Sequence, residues 1–191
     1  MAYQTYITDA FVCGSKDSNT SDRSFLLFTR DAGMVYASVK IVREERSKHR
    51  YGLQHFSEVR VSLVRGKAGW KIVGTEPIRN IYNEAETREI RTLVRNMILL
   101  LRRVVHGEMA HPEIYADICS VVKLCTVYDP VVLETVFTAR MLYLLGYVGE
   151  LGVLEEVVAV PISHSTVDGI MATQIAALKK HITQALSASH L

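Results

Sequence analysis

Glu58-Val-Arg-Val-Ser-Leu63 alternates polar and aliphatic residues, and a period of two is the signature of a strand with one buried face. Val59, Val61 and Leu63 are the expected core side, and Glu58, Arg60 and Ser62 the outer side. A second row repeats the pattern: Val35, Ala37, Val39 and Ile41 alternate with Tyr36, Ser38 and Lys40. Working outward, residues 3–13, 23–29 and 70–77 read as three further strands. Turn residues separate them in Gly14-Ser-Lys-Asp-Ser-Asn19, Asp31-Ala-Gly33 and Arg65-Gly-Lys-Ala-Gly69. Five short strands in about 75 residues, with no long helix among them, predict a small closed barrel. A five-stranded oligonucleotide-binding (OB) barrel fits best; an SH3-like barrel fits the spacing too.

After Asn80 the period lengthens to about 3.6. Ile90, Leu93, Val94, Met97, Ile98, Leu101, Val104 and Val105 form one wide apolar face, with Arg88, Arg91, Arg95, Arg102 and Arg103 mostly around the other side. Gly107 ends this helix. Pro112, a favoured first-turn residue, opens a second that runs to about Val127. Asp129 as N-cap and Pro130 at the first helical position open a third, which ends at Gly146. A fourth is expected over residues 167–186. Glu155-Glu156 reads as a solvated turn. The chain is therefore expected to be α+β, with an OB barrel in residues 1–80 and a helical bundle in residues 81–191.

Charge separates the two halves. Residues 40–71 carry nine Lys or Arg against three acids, an excess of +6 in a chain whose formal total is +2. Residues 80–191 carry nine basic and twelve acidic side chains. A basic loop on a small β-domain suits a polyanion ligand, because Lys and Arg neutralise phosphates and release counterions whatever the base sequence. The candidate cations are Lys40, Arg43, Arg46, Lys48, Arg50, Arg60, Arg65, Lys67 and Lys71. A solvated charged loop is the plainer reading of the same residues. OB barrels pair such cations with rings that stack bases. Tyr36, Tyr51, Phe56 and Trp70 are the rings at hand, although Phe56 and Trp70 also read as core. Tyr36 alternates out of register with the apolar row, so it is the expected stacking residue.

Other chemistry is scarce. The seven histidines show no His-x-x-x-His spacing, and no set of three or four convergent metal ligands is visible. Cys13, Cys119 and Cys125 form no Cys-x-x-Cys, so buried thiols are expected. Gly66 and Gly69 flank a hairpin turn with no Gly-Lys-Ser/Thr behind it. Glu44-Glu45 reads as surface charge among the loop cations. Neither an enzymatic function nor a cofactor is expected. The most apolar run, Asn96-Met-Ile-Leu-Leu-Leu101, is closed by Arg102 and Arg103, well short of the roughly 20 residues a membrane helix needs. The opening Met1-Ala-Tyr-Gln-Thr-Tyr6 has neither a charged leader nor an apolar segment, so a cytoplasmic location is expected.

Several segments together resemble the recombination mediator RecO family. Asp22-Arg-Ser-Phe-Leu-Leu-Phe-Thr-Arg-Asp-Ala-Gly33 resembles that family's second strand and its Gly-ended turn. Ser47-Lys-His-Arg-Tyr-Gly-Leu-Gln-His-Phe-Ser57 resembles its basic loop and the Leu-Gln-Pro-Phe lead into the fourth strand, with His55 in place of Pro. Tyr3-Gln-Thr-Tyr-Ile-Thr-Asp-Ala-Phe-Val12 suits its first strand, and Phe137-Thr-Ala-Arg-Met-Leu-Tyr-Leu-Leu-Gly-Tyr147 its Leu-Leu-Gly-Tyr helix end. The chain departs from relatives that carry Lys-Gly after the third strand, since it has Lys40-Ile41. It also lacks the zinc-binding Cys-x-x-Cys that some place after that helix, and it is short for the family. The resemblance implies an OB domain, a helical domain and a role in recombinational repair. It implies binding of single-stranded and duplex DNA, strand annealing and recombinase loading. The implied partners are RecR, RecF and single-stranded-DNA-binding protein, and Lys40, Arg46, Lys48 and Arg50 are the positions that carry over. Two other readings suit a basic barrel: an adaptor for acidic protein tails, and an RNA-binding OB protein.

Overall fold

The computed structural model describes residues 4–18, 22–40 and 52–189. Five strands, β1 (Thr5–Ser18), β2 (Asp22–Thr29), β3 (Gly33–Lys40), β4 (Ser57–Gly66) and β5 (Gly69–Asn80), close in the order β1-β2-β3-β5-β4. β1 pairs antiparallel with both β2 and β4, and a short parallel contact of Ala37 with Trp70 and Ser38 with Lys71 joins β3 to β5. This is the OB arrangement. Its core is the alternation read from the sequence: Val59, Val61 and Leu63 pack with Val35, Ala37, Val39, Ala10, Val12, Phe25, Leu27, Trp70 and Ile72. Ile41 lies outside the described residues.

β1 is longer than its composition predicts. Gly14 to Ser18 was expected to turn, yet the strand continues to Ser18, opposite Asp22. A bulge makes this possible. Val12 faces Leu27 and Gly14 faces Leu26, so Cys13 is the extra residue. The bulge inverts the facing of the residues beyond it: Val12 points inward, whereas Lys16, of the same parity, points outward beside Ser24.

The compact units are Met1–Glu86 with Val105–Pro112, and Thr87–Val104 with Glu113–Leu191. Residues 105–112, read from sequence as part of the helical half, thus belong with the barrel. Gly107 turns the chain with a φ of 79°, and its carbonyl accepts the Met34 amide at 2.9 Å, satisfying an edge of β3 that β5 does not reach. Gly33 permits the approach: its φ is 65°, and a side chain there would run into the Met109 carbonyl oxygen.

The helical unit contains α1 (Arg88–Val104), α2 (Pro112–Leu124, whose first residue belongs to the barrel unit), α3 (Pro130–Leu144), α4 (Glu155–Val158), α5 (His164–Asp168) and α6 (Ala172–Ala188). α1 buries the predicted face, Ile90, Leu93, Val94, Met97, Ile98, Leu101 and Val104. Asp129 caps α3 as expected, its carboxylate accepting the Val131 amide at 2.8 Å. Two expectations are corrected. Glu155-Glu156 opens the short helix α4, and Glu155 accepts the Tyr143 hydroxyl at 2.9 Å. The fourth predicted helix is two: α5 stops at Gly169, and α6 starts at Ala172 after Met171, whose extended backbone is tied to Gln174. Arg140 on α3 is buried, donating to Asp117 at 2.6 Å and to the Val158 carbonyl at 2.8 Å, so a charged pair crosses the helical core. Burial raises the Asp117 carboxyl above its ordinary range against the pull of Arg140.

Candidate nucleic-acid interface

Strand register sorts the barrel's cations into two walls. One wall is formed by β1, β4 and β5, where Asp9, Arg60 and Glu76 share a row. Arg60 is exposed, but its guanidinium is held by the Asp9 carboxylate at 2.8 Å, and Arg30 reaches the same carboxylate at 3.3 Å. Arg79 is likewise paired with Glu58 at 2.7 Å. Beside them the Thr8 hydroxyl donates to Asp31 at 2.7 Å; that bond, with Arg30 adjacent, holds the Asp31 carboxyl below its usual range. This wall is neutralised from within.

The other wall is the outer face of β2 and β3, bordered by the end of β1 and the start of β5. One row crosses all four strands: Lys16 lies opposite Ser24, Ser24 opposite Ser38, and Ser38 opposite Lys71. Three strand spacings separate the two lysines along the sheet, about 14 Å. Both are exposed, and neither forms an ion pair among the described residues. In the next row Tyr36 stands opposite Leu26 with 64% of its surface exposed, as its parity predicted. Lys67 is exposed in the β4–β5 turn, four residues before Lys71. Cations bordering a hydroxyl-lined sheet with an upright ring can hold a sugar–phosphate chain while a base stacks.

The barrel end near this wall is closed by rings. Trp70 is 8% exposed and belongs to the core, and Tyr6 meets it edge-on at 5.3 Å. Arg65 lies over the Trp70 ring at 5.3 Å and pairs with Glu108 at 2.9 Å, while the Trp70 indole N–H donates to the other Glu108 oxygen at 3.1 Å. Arg23 covers Phe25 at 5.6 Å. Phe56 is not in the barrel core. It is half-buried with a φ of 67°, its ring stacked on Tyr82 at 4.9 Å, and its backbone is tied to Val12 and Ile81. Local pairing therefore accounts for Phe56.

Of the cations read from sequence, Lys71 thus lies opposite Ser38 in the row next to that of Tyr36, Lys67 lies in the β4–β5 turn, Arg65 at the adjoining barrel end, and Arg60 on the other wall. Arg43, Arg46, Lys48 and Arg50 lie outside the described residues, as do Tyr51 and Glu44-Glu45; of Lys40 only the backbone, opposite Asp22, is described. Sequence reading missed Lys16, hidden in an apparent turn, and Glu108, which sits in the other half of the chain. Among the described residues no group of three or more His, Cys, Asp or Glu converges into a metal-binding set. No described helix is long and apolar enough to cross a membrane.

Comparison with known proteins agrees with this architecture. Residues 1–80 match the family model for the recombination protein O N terminal domain. DNA repair protein RecO of Desulfitobacterium hafniense is 27% identical over 142 residues, 74% of this chain and 52% of that protein. The RecO protein of Dehalococcoides mccartyi is 27% identical over 153 residues, 75% of this chain and 57% of its own, and that of Myxococcus xanthus 25% identical over 114 residues, 59% and 47%. The chain spans about half the length of the relatives it matches. Its first 80 residues are accordingly similar to the recombination protein O N-terminal domain, and about three quarters of the chain is similar to DNA repair proteins named RecO.

Proposed function

We propose that this protein is a non-enzymatic recombination mediator in DNA repair that binds DNA through residues 1–80. The observation that carries the reading is the row Lys16–Ser24–Ser38–Lys71 beside exposed Tyr36. Its ligand is single-stranded DNA, because an open strand presents both a phosphate chain to the lysines and an unstacked base to Tyr36. Duplex DNA binds the same cations through phosphate alone and more weakly. Arg65 and Lys67 are proposed to add to this positive field, and Lys40, Arg43, Arg46, Lys48 and Arg50 are proposed as further phosphate contacts on the ground of their charge in the sequence. Strand annealing and recombinase loading follow from holding a strand with its bases accessible. RecR, RecF and single-stranded-DNA-binding protein are the partners proposed by resemblance, and the setting is the cytoplasm and its nucleoid. The acidic-tail adaptor and RNA-binding readings have no comparable observation of their own.

The test is a titration of the purified protein with labelled single-stranded DNA, duplex DNA and RNA of equal length at several salt concentrations. Single-stranded DNA binds tightest, and log affinity falls linearly with log salt, with a slope of about −0.7 per phosphate contacted. Affinity for DNA that does not change with salt, or a clear preference for RNA, contradicts the proposal.

A further inference from the structure

We propose that Arg65 and the Trp70 indole N–H form an oxyanion site on the barrel, and that the Glu108 carboxylate occupies it in the place of a phosphodiester. Each oxygen of this one carboxylate takes a donor from a different strand: Oε2 from Arg65 Nη1 at 2.9 Å and Oε1 from Trp70 Nε1 at 3.1 Å. Two acceptor oxygens on one centre with a single negative charge are also what a phosphodiester presents, and a guanidinium donates to either.

The arrangement is built for exchange. Glu108 comes from residues 105–112, whose backbone is fixed through Gly107 and Met34, so only its side chain has to swing. The Arg65 and Glu108 side chains are 62% and 42% exposed, whereas Trp70 is buried. Ejection of Glu108 therefore uncovers one fixed donor and one mobile one. The surroundings favour nucleic acid over an acidic peptide. Lys67 and Lys71 flank the site along the chain, and Tyr6, 45% exposed and edge-on to Trp70, offers a ring beside the bound oxyanion. This rests on the DNA-binding reading for the source of the phosphate, but not for the existence of the site.

Trp70 is the only tryptophan, so its fluorescence reports from the site itself. The full chain, Glu108→Ala and Glu108→Gln are titrated with tetrathymidylate and, separately, with inorganic pyrophosphate. Glu76→Ala, the same charge change on the other wall, serves as the control. Both probes bind Glu108→Ala roughly three- to tenfold tighter than the parent, the range expected when one exposed ion pair and one hydrogen bond no longer compete. Glu108→Gln lies between, and Arg65→Ala in the Glu108→Ala background removes the gain. Equal affinity of parent and both Glu108 variants overturns the site, as does a gain no larger than that of Glu76→Ala or one that survives the loss of Arg65. A gain for pyrophosphate, with no form of the protein binding tetrathymidylate, upholds the oxyanion site while the DNA reading fails. Parent and variants that bind tetrathymidylate equally well, with no gain for pyrophosphate either, leave the DNA reading standing and remove this inference. A polyglutamate peptide that outcompetes tetrathymidylate overturns the assigned ligand class.

Discussion

The two walls of one barrel carry similar numbers of cations and use them differently. On the β1–β4–β5 wall, Arg30 and Arg60 converge on Asp9, and Arg79 on Glu58, so the charges cancel where they arise. On the β2–β3 wall, Lys16 and Lys71 have no such acid among the described residues, nor has Lys67 in the β4–β5 turn, and an exposed ring stands between the lysine row and the hairpin end. A charge excess counted along the chain merges these walls; hydrogen-bond register separates them. Arginine held in a carboxylate fork is already satisfied, whereas an exposed lysine keeps its field for a ligand. Binding is therefore expected to follow the wall, not the net charge.

The largest effect comes from breaking both walls together. Val61 lies in the middle of the core, so Val61→Asp buries an unpaired carboxylate and costs several kcal/mol. Thermal unfolding followed by circular dichroism should show the β signal lost at a far lower temperature. A melting temperature unchanged by that substitution would contradict the strand register. A smaller effect sharpens the β2–β3 wall alone. Tyr36→Ala should weaken single-stranded DNA binding by about 1 kcal/mol or more, with little loss for duplex, if the ring stacks on a base. Equal losses for both DNA forms would remove its stacking role.

Much of the barrel was legible because alternation is a local signal. Val35, Ala37 and Val39 with Val59, Val61 and Leu63 fall inward as their spacing requires, and Tyr36 outward. The Asp129-Pro130 helix start was legible for the same reason, since a cap and its amide lie two residues apart. The site was less so. Lys16 sits among Gly, Ser, Asp and Asn, a turn composition, and faces outward only because Cys13 is bulged. The pairing of Arg60 with Asp9 spans 51 residues of sequence, and the Trp70–Glu108 bond spans 38. Such contacts follow from chain topology, which alternation does not encode. The buried Arg140–Asp117 pair is a case of the same kind in the helical unit, where α3 carries an arginine into a core that periodicity alone would have left apolar.

The most direct test exchanges two charges on each wall and compares them. Lys16→Gln/Lys71→Gln and Arg30→Gln/Arg60→Gln remove the same charge from the same domain, and glutamine can still bond to Asp9 in the second pair. Single-stranded DNA affinity is measured for the parent and both double variants across a range of salt. The account predicts that the lysine pair weakens binding and flattens the log–log salt slope by about 1.4, two phosphate contacts at roughly 0.7 each, while the arginine pair leaves the slope where it was. Equal losses from the two walls, or a loss from the arginine pair alone, would contradict it.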